Sequence, residues 1–400
     1  MEEDYVFVDR PDDSLAKSQP LTGHLADIDH FINELESALW PLNCFIHNNP
    51  ELGYKEFKTH DALTNFMKSR KGWAVQRSAY GMETAWEAVF DTGRPGPVVS
   101  FNAEMDALPG LGHACGHNLI AMVSVAAALA TAETVRQKRL PGKVIIVGTP
   151  AEEGGGAQWS RTTAFTSLSA EYHGKTAHSA KNPWQGVNAL DAMVIAYNGI
   201  SAMRQQTRSD DFIGVKITNG GGSKANFIHD YAAGAAVLRA STAPHLHELQ
   251  KKVEGCFRAG AEATGATVDI KVRPGYLDHM PNRVLAASFA KHWHDMPNAP
   301  DPPLPAPGQY TWVKSSTDQG NLSYALPSMN VSFAIPPGPE FGQPHSPDFE
   351  KASKTKDAFD RAMRVAKAMA GTAVDVFVVP GLLKEIKDQW KRDMDQAQMV

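Results

Sequence analysis

The segment that most constrains this chain is residues 105–118, which read MDALPGLGHACGHN. It places the carboxyl group of Asp106, the thiol of Cys115 and the imidazoles of His113 and His117 close together, between a predicted strand and a predicted helix. The intervening glycines allow the tight turns that direct several side chains inward together. Carboxylate, thiolate and imidazole groups are ligands of borderline-soft divalent metals. The segment therefore predicts a metal site.

A second acidic cluster, Glu152 and Glu153, follows the apolar run 144–147. Two adjacent carboxylates repel each other, and burying both without compensation is costly. They can be solvated loop acids, but the carboxyl end of a buried strand is where open α/β sheets place ligand sites. A metal ion would neutralise one carboxylate and leave the other free to take a proton from water. The two segments together predict a metal-dependent hydrolase.

Composition limits the class of protein. A length of 400 residues exceeds one compact core, so two domains are expected, and the net charge of −5 argues against nucleic acid as a partner. The three cysteines, Cys44, Cys115 and Cys256, are too few for a disulfide framework and favour a reducing compartment. The N-terminus lacks the apolar region of a secretory signal, and no apolar run is long enough to span a membrane. We expect a soluble, cytoplasmic protein.

The periodicity of apolar residues predicts an α/β layer with a largely parallel centre. Helices are expected over 24–49, 56–70 and 117–135, and strands over 84–90, 98–102 and 143–148. After a proline-rich surface loop at 296–308, a strand is expected over 324–334, and helices over 353–371 and 382–397.

A different pattern occupies residues 168–275. Strands are expected at 168–174, 212–218, 231–241 and 266–272, with helices at 185–205 and 244–263. This β-α-β-β-α-β order is that of the ferredoxin-like fold. The prediction is therefore an α+β domain, 168–275, inserted into a catalytic domain formed by 23–167 and 276–400, with a flexible tail at 1–22.

Several further polar residues are candidates with two interpretations each. Cys115 and His117 could form a nucleophilic pair, but the glutamates and His345 would then have no role. His345 lies in a proline-stiffened loop after the predicted strand and is either a ligand or an idle surface histidine. His178 could contact substrate or cap a helix. Asn226 and Arg239 could bind a carboxylate or an amide, and Arg239 could instead form a structural ion pair.

Taken together, these motifs resemble the aminoacylase and carboxypeptidase G type of zinc metallopeptidase, peptidase family M-20, in its amidohydrolase branch. The nearest likeness is to β-alanyl-lysine dipeptidase-like proteins. The resemblance covers most of the chain in the expected order, through the segments 49–53, 79–81, 105–118, 149–156, 172–192, 226, 316–321 and 345–349.

The resemblance implies a zinc-peptidase-like catalytic domain and a lid domain, 168–275, that also mediates homodimerisation. It implies up to two metal ions per chain, Zn²⁺ foremost, with Mn²⁺ or Co²⁺ as alternatives. The substrate would be a dipeptide or N-acyl amino acid. The implied roles are metal ligation by Cys115, His117, Glu153 and His345, general base catalysis by Glu152, orientation of the site by Asp106, oxyanion stabilisation by His178 and substrate binding by Asn226 and Arg239.

One departure from the family pattern bears on activity. The family has a further ligand histidine, usually before a proline, between the glutamate pair and the first strand of the lid. This chain contains no His-Pro dipeptide, and only a short segment separates Glu153 from Gly174. The sequence therefore leaves two functions open: an active metal-dependent dipeptidase or amidohydrolase, and a catalytically impaired relative that serves in binding or dimerisation.

Overall fold

The computed structural model describes residues 23–152, 160–297, 311–313, 316–331 and 333–398. The predicted tail at 1–22, Glu153 and most of the predicted loop at 296–308 lie outside the described residues.

Most predicted elements are confirmed within a few residues. The helices longer than one turn are α1 His24–Asn48, α2 Phe57–Lys68, α3 His117–Gln137, α4 Ala189–Met203, α5 Ala243–Thr264, α6 Arg283–Asp295, α7 Gln319–Ala325, α8 Pro347–Ser353, α9 Lys356–Val378 and α10 Leu382–Gln398. The strands are β1 Trp73–Arg77, β2 Trp86–Asp91, β3 Val98–Glu104, β4 Lys143–Thr149, β5 Ser160–Thr162, β6 Ala164–His173, β7 Phe212–Asn219, β8 Tyr231–Ala240, β9 Thr267–Tyr276 and β10 Thr311–Val313.

The first sheet has the strand order β1-β2-β4-β3, and among these strands only β3 and β4 pair in parallel. The prediction of a largely parallel centre is therefore wrong for this sheet. Parallel neighbours need a crossover connection, and α3 supplies one between β3 and β4. The connection from β1 to β2 holds only a short turn at Ala79–Gly81, so these two strands pair antiparallel.

The core of this layer is built around α3, which packs against α1, α9, β3 and β4. Its alanines leave room for neighbouring backbones to approach on all sides, so almost the whole helix is buried. By length and composition α3 could cross a membrane, but 89% of its most apolar window is buried inside the protein. It is a core helix here.

The second four-stranded sheet has the order β7-β8-β6-β9 and is antiparallel throughout. With α4 and α5 on one face it shows the predicted β-α-β-β-α-β topology and has a hydrophobic core of its own. The first strand, β6, begins at Ala164, four residues before the predicted start. The division into domains at 168 and 275 stays a prediction.

The strand predicted over 324–334 is wrong. Helix α7 continues to Ala325, and the described residues after it have no strand. Pro327 has no N–H to donate to a ladder, and the carbonyl oxygen of Ser328 accepts a hydrogen bond from the Asn282 backbone instead. The short parallel pair of β5 and β10 has three residues in each strand, too few to give a detectable sequence pattern.

A polar cluster ties three helices of the first layer together. The carboxyl group of Asp375 on α9 lies 3.2 Å from His24 Nε2 on α1 and 2.8 Å from His292 Nε2 on α6, and it accepts a hydrogen bond from Ser288. Burial raises the pKa of Asp375, but these hydrogen bonds more than offset burial and hold the pKa well below its usual range. The cluster therefore fixes how α1, α6 and α9 meet.

Gly148 on β4 tests the packing of the first sheet. A Cβ at this position would overlap the indole of Trp86, which is fully buried and hydrogen-bonds through Nε1 to Met105 Sδ at 3.2 Å. We expect Gly148→Ala to lower the free energy of unfolding by about 1–3 kcal/mol through overpacking. Urea denaturation followed by circular dichroism measures this.

The matched control is Gly255→Ala on α5, where a Cβ would meet nothing within 4 Å. Alanine favours a helix over glycine by roughly 0.5–1 kcal/mol, so this variant should equal or exceed the wild type in stability. Equal stability of Gly148→Ala and the wild type would contradict the packing described for Trp86.

Candidate metal centre

The candidate centre lies where β3 and β4 end. These strands pair in parallel with Glu104 opposite Thr149, so their carboxyl ends meet at one edge of the sheet. Glu104 is the last residue of β3, and Asp106 and Glu152 follow the two strand ends. Helix α3 begins at His117 and places its imidazole at the same edge.

The imidazole of His117 is fully buried and has one defined hydrogen bond. Its Nδ1 lies 2.8 Å from the carbonyl oxygen of Asp106, which can only accept, so Nδ1 carries the proton. Nε2 lies 3.3 Å from Glu152 Oε2 and 3.6 Å from Glu104 Oε2, and it has no hydrogen-bond partner among the described residues. A ring nitrogen fixed in this way is typical of a metal-ligating histidine.

The ionisation of His117 depends on its neighbours. Burial by itself lowers the pKa of His117, but interactions with Asp106, Cys115 and Glu152 outweigh burial and hold the pKa well above its usual range. The thiol of Cys115 is therefore close enough to influence the charge of this imidazole. The neighbouring His113 is also buried, and burial, followed by the charges of His117 and His47, lowers its pKa to about 3.

Four carboxyl groups of the described residues gather around this single imidazole. Burial, and then the charge of Glu152, raise the pKa of Glu104 well above its usual range. The same two causes raise the pKa of Asp318 to about 6, and Asp106 adds to both shifts. Buried acids with few positive partners are compensated either by protonation or by a cation.

The donor set fits a divalent cation. One ligand atom from each of Glu104, His117 and Glu152 lies within 4.8 Å of the other two. Imidazole nitrogen and carboxylate oxygen are ligands for Zn²⁺, Mn²⁺ and Co²⁺. Glu104 was not among the residues predicted from the sequence. The signal was its position at the end of a predicted strand, two residues before Asp106.

The backbone brings His345 next to the motif that contains Cys115. The His345 amide donates a hydrogen bond to the carbonyl oxygen of Ala114 at 2.9 Å. The strand predicted before His345 is absent from the described residues. His345 has a φ of 71° and lies two residues before α8. The ligand roles of Cys115 and His345 stay predictions, and that of Glu153 falls outside the described residues.

Glu152 is held from two sides. Thr317 Oγ1 donates a hydrogen bond to Glu152 Oε1 at 2.7 Å, and the Glu152 amide donates to Asp106 Oδ1 at 2.9 Å. The preceding amide, of Ala151, donates to the buried carboxylate of Glu56. One carboxylate oxygen is thereby fixed, and the other, Oε2, faces His117. The predicted polar turn at 316–321 thus contributes a residue to the centre.

The candidate residues of the second sheet lie in two places. His178 and Asn226 are exposed neighbours, since His178 bridges Phe227 and the Ser179 amide donates to the Asn226 carbonyl. Arg239 lies elsewhere, on β8. Its guanidinium donates to Ser316 Oγ at 2.6 Å and stacks 4.9 Å from the ring centroid of Phe165.

The Ser316 hydroxyl in turn donates to the carbonyl oxygen of Thr163 at 2.6 Å. Arg239 therefore contacts the turn that holds Glu152, whereas the described contacts connect neither His178 nor Asn226 to that cluster.

Comparisons with known proteins identify the family of the chain. The sequence profile of "Peptidase family M20/M25/M40" matches residues 100–372. The chain is 35% identical to the Xaa-Arg dipeptidases of Mus musculus and Homo sapiens, in each case over 92% of both chains. It is 24% identical to a p-aminobenzoyl-glutamate hydrolase component of Escherichia coli, over 88% of this chain and 91% of that one.

Solved structures show the same fold. A Staphylococcus aureus protein assigned as an aminohydrolase superposes with a TM-score of 0.71 at 18% identity, covering 88% of this chain and 99% of that chain. A dinuclear metal-binding peptidase of the M20 family from Bacillus subtilis superposes with a TM-score of 0.63 at 18% identity, covering 86% and 99%. The family resemblance drawn from the motifs is thus confirmed: the chain belongs to peptidase family M20/M25/M40, a family of hydrolases that act on C–N bonds.

Proposed function

We propose that this protein is a metal-dependent dipeptidase or amidohydrolase in which Glu152 is the general base. The observation that carries the proposal is the buried cluster of Glu104, His117 and Glu152, in which Thr317 and Asp106 fix the orientation of Glu152. A carboxylate with one oxygen anchored and the other directed at a cation site is placed to move protons there.

The chemistry follows from these positions. A divalent cation held by Glu104 and His117 beside Glu152, with Zn²⁺ as the first choice, would lower the pKa of water and polarise the substrate carbonyl. Glu152 Oε2 takes a proton from the attacking water and then gives it to the nitrogen of the leaving amine. The carbonyl oxygen of Asp106 accepts a hydrogen bond from His117 Nδ1 and so fixes the tautomer of that imidazole. The carboxylate of Asp106 accepts a hydrogen bond from the Glu152 amide and so fixes the position of Glu152.

In this proposal the second sheet and its helices form a lid that binds the substrate. Arg239, half-buried beside the turn that holds Glu152, binds a terminal carboxylate of the substrate, and Asn226 a polar terminal group. His178 is exposed and stabilises the oxyanion from a neighbouring subunit. The same proposal includes a homodimer joined through residues 168–275 and a cytoplasmic location. It also includes up to two metal ions per chain, with Cys115, Glu153 and His345 as further ligands.

The substrate we propose is a dipeptide with a basic C-terminal residue. The acidic groups at the centre favour a cationic side chain of the substrate over an anionic one. The relatives at 35% identity are dipeptidases named for a C-terminal arginine, which agrees with this charge.

Metal removal should destabilise the protein. Because a cation would bind only the folded cluster, a concentration of about 100 times its Kd should raise the free energy of unfolding by roughly 2.7 kcal/mol. Differential scanning calorimetry of the chelator-treated protein, with and without added Zn²⁺, measures the shift in Tm. His117→Asn should show a much smaller shift, and an equal shift in this variant would place the metal elsewhere.

The chelator-treated protein also distinguishes a metal-dependent mechanism from one that uses Cys115 as the nucleophile. Hydrolysis through the metal should stop with a chelator and return with Zn²⁺. A Cys115 nucleophile would instead give hydrolysis that survives the chelator and is lost on thiol alkylation.

Glu152→Gln tests the general base. The amide keeps the shape and the hydrogen bond from Thr317 but cannot take up a proton, so kcat should fall by at least about 10²–10⁴-fold. Isothermal titration with Zn²⁺ should show metal binding retained. The control is Glu254→Gln on α5, whose carboxylate pairs with Arg258 away from the centre. Turnover by Glu152→Gln at the wild-type rate would refute the role of Glu152 as general base. A wild-type protein that binds metal but hydrolyses no dipeptide would instead be a catalytically impaired relative.

Matched dipeptides test the substrate class. We expect kcat/KM for a dipeptide ending in arginine to exceed that for the same dipeptide ending in citrulline by about tenfold or more, or about 1.4 kcal/mol. Citrulline has nearly the shape of arginine without its charge, so the ratio isolates the electrostatic contribution. A ratio near one, or faster cleavage of a C-terminal glutamate, would contradict the assignment.

A further inference from the structure

We propose that Glu104 is a metal ligand of this chain and that it binds the same cation as His117. This inference rests on the metal-dependent function proposed above and names a residue that binds the metal. It concerns the one buried carboxylate of the described centre that the motifs did not identify.

The first support is the direction in which His117 points. Its Nδ1 donates to the Asp106 carbonyl at 2.8 Å, so in the neutral ring Nε2 has a lone pair. That lone pair faces Oε2 of Glu104 at 3.6 Å and Oε2 of Glu152 at 3.3 Å. With the ring neutral, these three electron-rich atoms face one another in a buried space and repel unless a cation lies among them.

The second support is how differently the carboxylates are satisfied. Glu152 has Oε1 bonded by Thr317, and Asp106 has Oδ1 bonded by the Glu152 amide. In the part of the chain that the structure describes, no N–H or O–H group donates a hydrogen bond to the Glu104 carboxylate, and its one polar contact is His117. A buried carboxylate is normally hydrogen-bonded, paired or bound to metal.

The third support is charge. If His117 is protonated, it supplies one positive charge for the carboxyl groups of Glu104, Asp106, Glu152 and Asp318, all of which influence one another. An imidazolium can therefore compensate one of them. A divalent cation bound by Glu104 and His117 compensates two and still leaves Glu152 Oε2 free to accept a proton.

The position of Glu104 makes it a rigid ligand. It ends β3, where the parallel ladder with β4 fixes its backbone, and His117 is held at the start of α3 by the Asp106 carbonyl. Ligands on the ends of regular elements lose little conformational entropy on binding metal.

The test is Zn²⁺ binding to Glu104→Gln, measured by isothermal titration on the full chain after chelator treatment. Glutamine has the shape of glutamate without its charge. Because loss of even an outer-shell partner weakens metal sites roughly 10–100-fold, loss of a ligand should raise the Kd at least about 100-fold. Glu254→Gln, which removes a charge on α5, should bind like the wild type. Glu152→Gln should also retain the metal, which separates the ligand from the base.

A second readout does not depend on affinity alone. Without metal, Glu104→Gln replaces a buried carboxyl group that faces Glu152 with a neutral amide of the same shape, so its Tm should equal or exceed that of the metal-free wild type. Added Zn²⁺ should reverse this order. With Co²⁺ as the probe, the visible spectrum of the wild type should differ from that of Glu104→Gln, since the ligand set determines the geometry.

Wild-type Kd and an unchanged Co²⁺ spectrum in a folded Glu104→Gln protein would overturn the proposal. So would a metal-free Tm well below that of the wild type together with unchanged Zn²⁺ affinity, because Glu104 would then have a structural role only. The proposed function fails separately: a wild type that binds Zn²⁺ through Glu104 but hydrolyses no dipeptide supports the ligand and refutes the enzyme.

Discussion

The candidate centre depends on one electrostatic constraint, which is the burial of several carboxyl groups around a single imidazole. Removing ions from water costs several kcal/mol for each ion even after the protein relaxes, and attraction between partners offsets this only where the geometry is good. Here the backbone prevents the acids from moving apart, because Glu104 ends a strand and His117 begins a helix. The local chain can satisfy its charges only by protonation or by binding a cation.

The rest of the fold explains why these groups meet. The crossover from β3 through α3 to β4 gives the parallel pair of the first sheet, and the acids follow the carboxyl ends of that pair. The antiparallel strands β1 and β2 extend the sheet on the side of β4, and α1 and α9 cover α3. A nearly all-buried, alanine-rich helix can pack this closely because its side chains are small.

The sequence predicted the long elements well because their signals are local. The apolar spacing of α1 indicates a helix and the β-branched run of β4 indicates a strand, and both patterns are visible within the segment itself. The strand prediction failed at 324–334. This segment includes Pro327, which has no N–H, and the Ser328 carbonyl accepts a hydrogen bond from the Asn282 amide instead of from a neighbouring strand. The site was predicted in part: His117, Asp106 and Glu152 converge as expected. Glu104 and Thr317 were missed because a single acid or hydroxyl has no signature until the fold brings it to the edge of the sheet.

The turn formed by Ser316 and Thr317 has a mechanical consequence. Ser316 accepts a hydrogen bond from Arg239 of the second sheet, and the next residue, Thr317, donates to the carboxylate of Glu152. Two successive residues, joined by one peptide unit, thus connect the guanidinium to the carboxylate that faces His117. Because this connection is short, a movement of the second sheet that displaced Arg239 would also displace the Thr317 hydroxyl, so the orientation of Glu152 is coupled to the position of the second sheet.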